Sequence, residues 1–297
     1  MIGLAGIALA PLLPGAVQTL KARLQGRRGA SALQPYRALK RLWGKSTVDP
    51  EGTGVVYRTA PAVVAACLAL ALAIVPLAGH AGWSPLGRDA LALMGLLALA
   101  RFAGAAAAWD TANGFALMGA ARDLMLAVFG EGLFALALLL AALPAQSTDL
   151  VAMSAAAAGT GPWSEPAHWC GALAFALVIL VETGRQPIDN PDTHLELTMI
   201  HEGPLLEYAG RDLAYLQWAA AARHWVVLVL GAELFLPHWG GFGVSLVLLA
   251  AGVGALCVAL ALVETAQAKM RILRVPALLA VGGAIALAGV VSWIAGT

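Results

Sequence analysis

The chain has 297 residues, of which 60% are hydrophobic and 12% are charged, and its formal net charge is +1. Soluble domains carry about 25% charged residues, so this composition excludes a water-soluble protein and indicates one that is dissolved in a lipid bilayer. The near-zero net charge also excludes the broad positive field that attracts nucleic acid.

Eight apolar stretches follow one another along the chain, most of them close to the roughly 20 residues that a helix needs to cross the hydrocarbon core. The first lacks the basic n-region and cleavage site of a signal peptide, so we interpret it as a retained span. The stretches predict an all-α integral membrane protein, a single polytopic domain over residues 1–297. The predicted spans are residues 2–20, 60–79, 89–108, 124–143, 167–183, 224–238, 243–263 and 275–295.

The distribution of basic residues predicts the orientation of these spans. The odd-numbered connections hold 16 of the 18 Lys and Arg residues, and the positive-inside rule places such connections in the cytoplasm. Both termini are then predicted to face outward, with long cytoplasmic loops at about 21–59 and 184–223. The basic residues of the first loop serve as this orientation signal, and they also suit docking of a peripheral subunit or anionic lipid headgroups.

Residues 182–212 are acidic on the side where the positive-inside rule favours bases. Glu182 and Arg185 are three apart and share a helix face, and Pro187 ends or kinks that helix. Carboxylates held near a membrane entrance would share protons with raised and coupled pKa values, as in a redox-sensing proton relay. From the spacing alone, a solvated acidic loop that only docks a partner is favoured over the relay. The seven carboxylates are Glu182, Asp189, Asp192, Glu196, Glu202, Glu207 and Asp212.

Three ionisable residues lie within predicted spans, where charges are costly and tend to be functional. Arg101, Glu131 and Glu233 are predicted to lie roughly 10–14 Å from the cytoplasmic ends of their spans. Similar depth predicts an Arg101–Glu131 ion pair, unless Arg101 snorkels to the interface. Glu233 has no evident basic partner, which suits a proton carrier or a hydrogen bond to a neighbouring helix. A cytoplasmic proton entrance is predicted from carboxylates at span ends: Asp110, Asp123, Glu182 and Glu264.

The sequence predicts no metal ligands and no catalytic residues in this chain. Cys67, Cys170 and Cys257 are far apart in apolar runs, which is typical of buried, inert thiols. His194 and His201 are seven residues apart and match no ligand spacing.

Residues 182–189 read Glu-Thr-Gly-Arg-Gln-Pro-Ile-Asp, and Glu-Leu at 196 and Glu-Tyr-Ala-Gly at 207 follow. This pattern resembles subunit 1, the H subunit, of respiratory complex I. The longer run over 185–202 resembles its homologue in formate hydrogenlyase and other energy-converting nickel–iron hydrogenases. The similarity extends to 34–36 and to 119–123, where Ala121 and Asp123 replace the serine and glutamate of the family pattern.

The resemblance implies a non-catalytic subunit that anchors a hydrogenase arm in a bacterial inner membrane and couples electron transfer to proton or sodium translocation. The implied partners are the hydrogenase large and small subunits, a ferredoxin-like iron–sulfur subunit and antiporter-like membrane subunits. The nickel–iron site and the iron–sulfur clusters would lie in those partners, with no cofactor bound by this chain.

Two groups of site residues follow from the spans and the resemblance together. The first, expected to couple protons, is Arg101, Glu131, Glu182, Arg185, Asp189, Asp192, Glu196, Glu202, Glu207, Glu233 and Glu264. The second, expected to dock the peripheral arm along with loop 184–223, is Tyr36, Arg37, Arg122 and Asp123.

Three alternative functions stay open. The Glu-Thr-x-Arg-x-Pro-x-Asp core also fits a quinone-site-bearing subunit of NADH:quinone oxidoreductase, although the run over 194–202 favours the hydrogenase branch. A stand-alone ion transporter would show inverted repeats, and none is evident. A passive scaffold would assemble the complex without moving ions.

Overall fold

The computed structural model describes residues 2–80, 87–189 and 200–296, and across these ranges the chain is helical with no β-strand. Two 3-10 turns, Gly203–Leu205 and Ile272–Arg274, interrupt the connections. The α-helices of the described ranges, in chain order, are α1 (Ile2–Leu9), α2 (Leu12–Leu24), α3 (Gln34–Trp43), α4 (Val55–Ile74), α5 (Ala90–Asp110), α6 (Gly114–Ala145), α7 (Leu150–Ala157), α8 (Gly161–Ser164), α9 (Pro166–Glu182), α10 (Gly210–Phe235), α11 (Phe242–Ala266) and α12 (Val275–Gly296).

Among the described residues, six helices are long and apolar enough to cross a membrane: α4, α5, α6, α10, α11 and α12. The prediction of an all-α, multi-pass membrane protein is therefore confirmed. The number differs from the eight predicted spans for two reasons. Helix α9 is apolar but has only 17 residues, and the first predicted span is divided between α1 and α2.

The break between α1 and α2 lies at Pro11, which has no N–H to donate to the carbonyl of Ile7 four residues earlier. That carbonyl oxygen instead accepts a hydrogen bond of 3.1 Å from the Trp218 indole. The neighbouring carbonyl of Ala8 accepts one of 2.5 Å from the Tyr36 hydroxyl. Side chains of α3 and α10 thus donate hydrogen bonds to the carbonyl groups that the break leaves unpaired. Within a bilayer such groups need partners in the protein, because no water is available to them.

Helix α10 begins at Gly210, so the predicted loop boundary at residue 223 is wrong. The apolar pattern over 210–223 is interrupted by charged residues, and hydropathy therefore assigns the segment to the loop. The 26 residues of α10 extend for about 39 Å at about 1.5 Å per residue. Glu233 is close to the C-terminal end at Phe235, and its predicted depth beside Arg101 is therefore wrong as well.

Helix α10 forms the centre of the bundle and is the most buried of the six long helices. It packs against α4, α9 and α11. Helices α11 and α12 lie at the periphery and expose large apolar side chains, including Val247 and Val291. These faces are suited to lipid or to neighbouring membrane subunits.

The 3-10 turn after the acidic connection is seated directly on α6. A Cβ atom added to Gly119 would lie 2.8 Å from the Cα atom of Gly203. Only a residue without a side chain permits this approach of two backbones. The contact fixes the segment that begins at Ile200 against the side of the bundle that carries the buried charges.

Candidate functional site

Arg101 is the centre of a group of buried charges in the middle of the bundle. Its side chain is 4% exposed, although it lies within an apolar helix. Its Nη1 atom is 2.9 Å from Oε1 of Glu131, and its Nη2 atom is 2.7 Å from Oε1 of Glu182. The predicted Arg101–Glu131 ion pair is confirmed, and the snorkelling alternative is wrong. The two charge-assisted contacts offset the cost of removing the guanidinium from water.

Glu182, the last residue of α9, lies between two arginines. Its Oε2 atom is 2.8 Å from Nη1 of Arg223, and Nη2 of Arg223 donates a hydrogen bond of 3.0 Å to the carbonyl of Leu97. The sequence interpretation placed Arg223 at a loop boundary and missed this contact. The available signal was a lone arginine just before the longest apolar run of α10, where a charge needs a partner.

Asp189 organises the connection that follows α9. Its Oδ1 atom is 2.8 Å from Nζ of Lys269, and its Oδ2 atom is 3.3 Å from Nδ1 of His201. The backbone N–H groups of Ile200 and His201 also donate to Oδ2, each at 3.3 Å. One carboxylate therefore joins the α9–α10 and α11–α12 connections. The sequence interpretation included Asp189 but not Lys269 or His201 as site residues.

Asp123 of α6 links the Asp189 group to Arg101. Its Oδ1 atom is 3.6 Å from Nε2 of His201, and its Oδ2 atom is 3.7 Å from Nε of Arg101. Opposite charges therefore follow one another from Lys269 in the connection to Arg101 in the bundle. We call this series, made up of Lys269, Asp189, His201, Asp123, Arg101, Glu131, Glu182 and Arg223, the charged path.

The pKa values in the connection reflect these contacts. Burial of Asp189 acts to raise its pKa, but the hydrogen bonds from His201 and Lys269 outweigh burial and bring it below its ordinary value. Burial of His201 acts to lower its pKa, but Asp189 and Asp123 outweigh burial and raise it above 6.5. The pair is thus held in its charged form, aspartate with imidazolium, and the raised pKa predicted for the carboxylates of this segment is wrong for Asp189.

A second buried group lies beside the charged path. Glu264 of α11 has a fully buried side chain. Its Oε1 atom is 3.1 Å from Nη1 of Arg185, and its Oε2 atom is 3.3 Å from Nζ of Lys21. Arg185 and Glu264 were both predicted as site residues. Lys21 was counted only as an orientation signal, yet it is buried at the end of α2.

A cavity of about 690 Å³ opens onto the charged path. Arg101, Asp123, His201 and Arg223 line one part of it, and apolar side chains of α4 and α10, such as Leu68, line another. A site with an apolar wall and a few convergent polar groups is typical of ligand-binding clefts.

The remaining predicted residues fall into different places. Glu131 reaches the surface with 36% of its side chain exposed, and Glu202 lines the cavity. Glu207 accepts a hydrogen bond from the side-chain amide of Asn113 and lies outside the charged path. Asp192 and Glu196 lie outside the described residues.

Asp110, predicted at a cytoplasmic entrance, does not line the cavity of about 690 Å³, and its carboxylate has a structural partner. Its Oδ2 atom accepts hydrogen bonds of 2.9 Å from the backbone N–H groups of Gly54 and Tyr57, at the start of α4. The Tyr57 ring stacks on that of Tyr208, with centroids 4.3 Å apart. Asp110 therefore fixes the start of α4.

The four residues predicted to dock the arm occupy two helices. Tyr36 binds the carbonyl of Ala8, and Arg37 is exposed on α3. Arg122 is half-buried on α6, while Asp123 faces inward toward Arg101 and His201.

Glu233 lies at the other end of the bundle, in a buried polar site of its own. Its carboxylate accepts hydrogen bonds from the N–H groups of Ala78 and Gly79 and one of 2.6 Å from the Ser154 hydroxyl. His238 Nε2 is 3.6 Å from Oε2. The group joins the α4–α5 connection to α7 and α10.

No group of three or more His, Cys, Asp or Glu side chains over residues 2–80, 87–189 and 200–296 is arranged to hold a metal ion. His201 uses both ring nitrogens for Asp189 and Asp123.

Comparison with known proteins identifies relatives of this chain. Residues 1–294 match the NADH dehydrogenase family. Formate hydrogenlyase subunit 4 of Escherichia coli K12 is 31% identical over 97% of this chain and 95% of its own length. Hydrogenase-4 component C of the same organism is 34% identical over 78% of this chain and 72% of its own length.

The fold has a solved counterpart. A chain of the membrane-bound sulfane sulfur reductase, an archaeal respiratory membrane complex, superposes with a TM-score of 0.86 at 20% identity, covering 98% of this chain and 97% of that one. The resemblance seen in the sequence is confirmed, and the match over residues 1–294 shows that the chain belongs to the NADH dehydrogenase family.

Proposed function

We propose that the chain anchors an electron-transferring arm, such as a hydrogenase with its iron–sulfur subunits, and couples electron transfer there to proton or sodium translocation. The observation that carries the proposal is the charged path, which runs without a gap above 4 Å from the α11–α12 connection to Arg101 and Glu131. The similarity to formate hydrogenlyase subunit 4 and hydrogenase-4 component C supports it.

The chemistry of the path suits coupling. His201 lies between two carboxylates at distances where one added or removed charge changes proton affinity in its neighbours. Arg101 holds Glu131 and Glu182 by separate nitrogens, so protonation of one carboxylate frees the guanidinium to move toward the other. A charge change in an arm docked beside the connection then shifts protons along the path.

The proposal includes a topology and a set of partners. Taking α1 with α2 as one crossing, and α4, α5, α6, α9, α10, α11 and α12 as the others, gives eight crossings of a bacterial inner membrane with both termini outside. The arm docks on Tyr36, Arg37, Arg122 and Asp123 and on the cytoplasmic connection after α9. Hydrogenase large and small subunits and a ferredoxin-like subunit would hold the nickel–iron site and the clusters, and antiporter-like subunits would receive the ions.

The test is to replace Glu182 with Gln in the intact complex and to measure hydrogen production and ion uptake together in inverted membrane vesicles. We expect ion uptake per hydrogen to fall at least tenfold while the complex still assembles, because Gln keeps the shape but cannot ionise. Glu165→Gln, at the exposed start of α9, is the matched control. Unchanged ion uptake in Glu182→Gln would support a passive scaffold instead.

A second candidate function is quinone reduction, and the cavity of about 690 Å³ favours it. Its apolar wall fits an isoprenoid tail and its charged end fits a polar head. Quinone that copurifies with the complex, and inhibition by quinone analogues that Leu68→Trp relieves, would establish this function. Hydrogen-linked activity that is insensitive to such analogues would exclude it.

A further inference from the structure

A second cavity, away from the charged path, lies on the lateral surface of the helix bundle. It measures about 590 Å³ and is a groove between α4 and α10, covered at one end by α3. Its volume falls within the roughly 300–1,000 Å³ range of ligand-binding clefts. The side chains that line it are apolar or aromatic. They include a row of alanines on α4 and three aromatic rings, Trp43, Tyr215 and Trp218.

The row of alanines gives the groove its depth. Ala62, Ala66 and Ala69 repeat at helical spacing on α4, and Ala62 and Ala66 are exposed. Both helices that form the walls are long and apolar enough to cross a membrane. The groove is therefore open toward the hydrocarbon of the bilayer, where an acyl chain is the most abundant apolar occupant.

Aromatic rings mark the cytoplasmic end of the groove. The rings of Trp43 and Tyr215 meet edge to face with centroids 5.2 Å apart. Trp43 is 50% exposed, although it is a large apolar side chain. Tryptophan and tyrosine favour the level of the lipid headgroups. The pair thus indicates where an acyl chain in the groove would give way to its headgroup.

Two cations lie one helical turn from this pair of rings. Lys40 precedes Trp43 by three residues on α3, and Arg211 precedes Tyr215 by four residues on α10, so each shares a helix side with its ring. Both side chains are exposed, and neither has an ion-pair partner within the described part of the chain. Helix α3 contains no acidic residue.

The ends of α3 and α10 are held together by direct backbone packing. Gly210 has a φ of +57°, and a Cβ atom there would lie 2.3 Å from the carbonyl oxygen of Ser46, just beyond α3. Only glycine fits this conformation and this approach. The two cations are consequently presented from elements whose relative position is fixed.

We propose that this groove binds one anionic phospholipid, with an acyl chain between α4 and α10 and the headgroup phosphate at Lys40 and Arg211. The site favours anionic over zwitterionic lipids, because its two cations attract a headgroup with a net negative charge. They repel the positively charged choline group of a zwitterionic lipid. Arg37 and Arg41, four residues apart on α3, stay available for the peripheral arm.

The experiment uses the whole complex, purified in a non-ionic detergent and analysed by native mass spectrometry. Dioleoyl phosphatidylglycerol and dioleoyl phosphatidylcholine are titrated separately as probes. We expect Ala66→Phe, which fills the groove from an exposed position, to retain one phosphatidylglycerol fewer than the wild type. Ala259→Phe, at an exposed alanine of α11, is the matched control and should retain the wild-type number.

Charge removal tests the headgroup site. Lys40→Gln and Arg211→Gln should each weaken phosphatidylglycerol binding about fivefold, the effect of one basic residue near an anionic lipid, with little change for phosphatidylcholine. Arg271→Gln, an exposed cation in the α11–α12 connection, should bind both lipids like the wild type.

Three outcomes would overturn the proposal. They are an unchanged lipid number in Ala66→Phe, equal weakening of both lipids by Lys40→Gln and Arg211→Gln, and loss of a peripheral subunit from these two variants with lipid binding intact. The last outcome would assign the surface to a protein partner. If Ala66→Phe fails to assemble, the smaller change Ala62→Leu provides the same measurement.

Discussion

At the scale of single residues, Arg101 is a buried charge within a helix apolar enough to cross a membrane. Arg101 is removed from water and depends on Glu131 and Glu182 for compensation. Breaking a buried ion pair costs about 3–5 kcal/mol, because the surviving charges are left without a partner. An exposed pair contributes only about 0–1 kcal/mol.

Replacing Arg101 with Leu should therefore lower the free energy of unfolding by about 3–5 kcal/mol, measured by thermal denaturation in detergent. Arg88→Leu is the control, because Arg88 pairs with Asp149 at the exposed surface with 44% of its side chain accessible. Equal effects of the two substitutions would contradict the buried network.

His201 and Asp189 give the connection a pH dependence whose sign follows from their pKa values. The pKa of His201 is raised, so its stabilisation is complete below pH 6.5 and is lost as pH rises through the folded-state pKa. The pKa of Asp189 is lowered, so its stabilisation is complete above pH 3.8 and is lost as pH falls through the folded-state pKa.

Amide hydrogen exchange of residues 200–208 should accordingly accelerate as pH is raised above 6.5, after correction for the intrinsic pH dependence of exchange. His201→Gln should remove this change, whereas His80→Gln, in the α4–α5 connection, should keep it. A pH dependence that survives His201→Gln would assign it to another group.

The hydrogen bonds around Glu233 indicate a structural role, in which its carboxylate holds the α4–α5 connection against α10. It accepts from the N–H groups of Ala78 and Gly79, whose φ values are +54° and +71°. Successive N–H groups in such turns form a concavity for an anion. Glu233→Gln should lower stability by about 1–3 kcal/mol and keep the ion-to-hydrogen ratio in assembled complexes. Loss of that ratio with unchanged stability would restore its predicted role as a proton carrier.

At the scale of helices and turns, the approach of Gly119 to Gly203 positions the connection that carries His201. Gly119→Ala places a Cβ atom 2.8 Å from the backbone of the turn, and overpacking of this kind costs about 1–3 kcal/mol. On the same helix, Gly132 has no atom within 4 Å of such a Cβ atom.

Gly132→Ala should be neutral or stabilising by about 0.5–1 kcal/mol through helix propensity. Thermal denaturation of both variants checks the difference. Similar melting temperatures for Gly119→Ala and Gly132→Ala would show that the turn is not held by this contact.

The sequence could predict the features that follow from the position of a residue along a single helix. Apolar runs located most of the long helices, and equal depth paired Arg101 with Glu131. It could not predict the link from Glu182 to Arg223, because that contact requires knowing that α9 and α10 are neighbours. For the same reason the start of α10 was missed, since its charged residues look like loop until their partners are known.

At the scale of the whole molecule, the distribution of basic residues predicts the orientation. Sixteen of the 18 Lys and Arg residues lie in the odd-numbered predicted connections, which should be cytoplasmic. A periplasm-dependent alkaline phosphatase fused after residue 297 should therefore be active, and a fusion at residue 45 should be inactive. The reverse pattern would invert the proposed topology and place the charged path at the outer face.

The exposed part of the Glu131 side chain has a consequence for the degradation of unassembled copies of the protein. This residue is the 18th of the 32 residues in α6, well inside a helix long and apolar enough to cross a membrane, where a carboxylate facing hydrocarbon is strongly unfavourable. A copy that reaches the membrane before its neighbours would present this group to lipid. Orphan copies should then be recognised by membrane proteases and degraded, so the abundance of this subunit would follow that of its assembly partners.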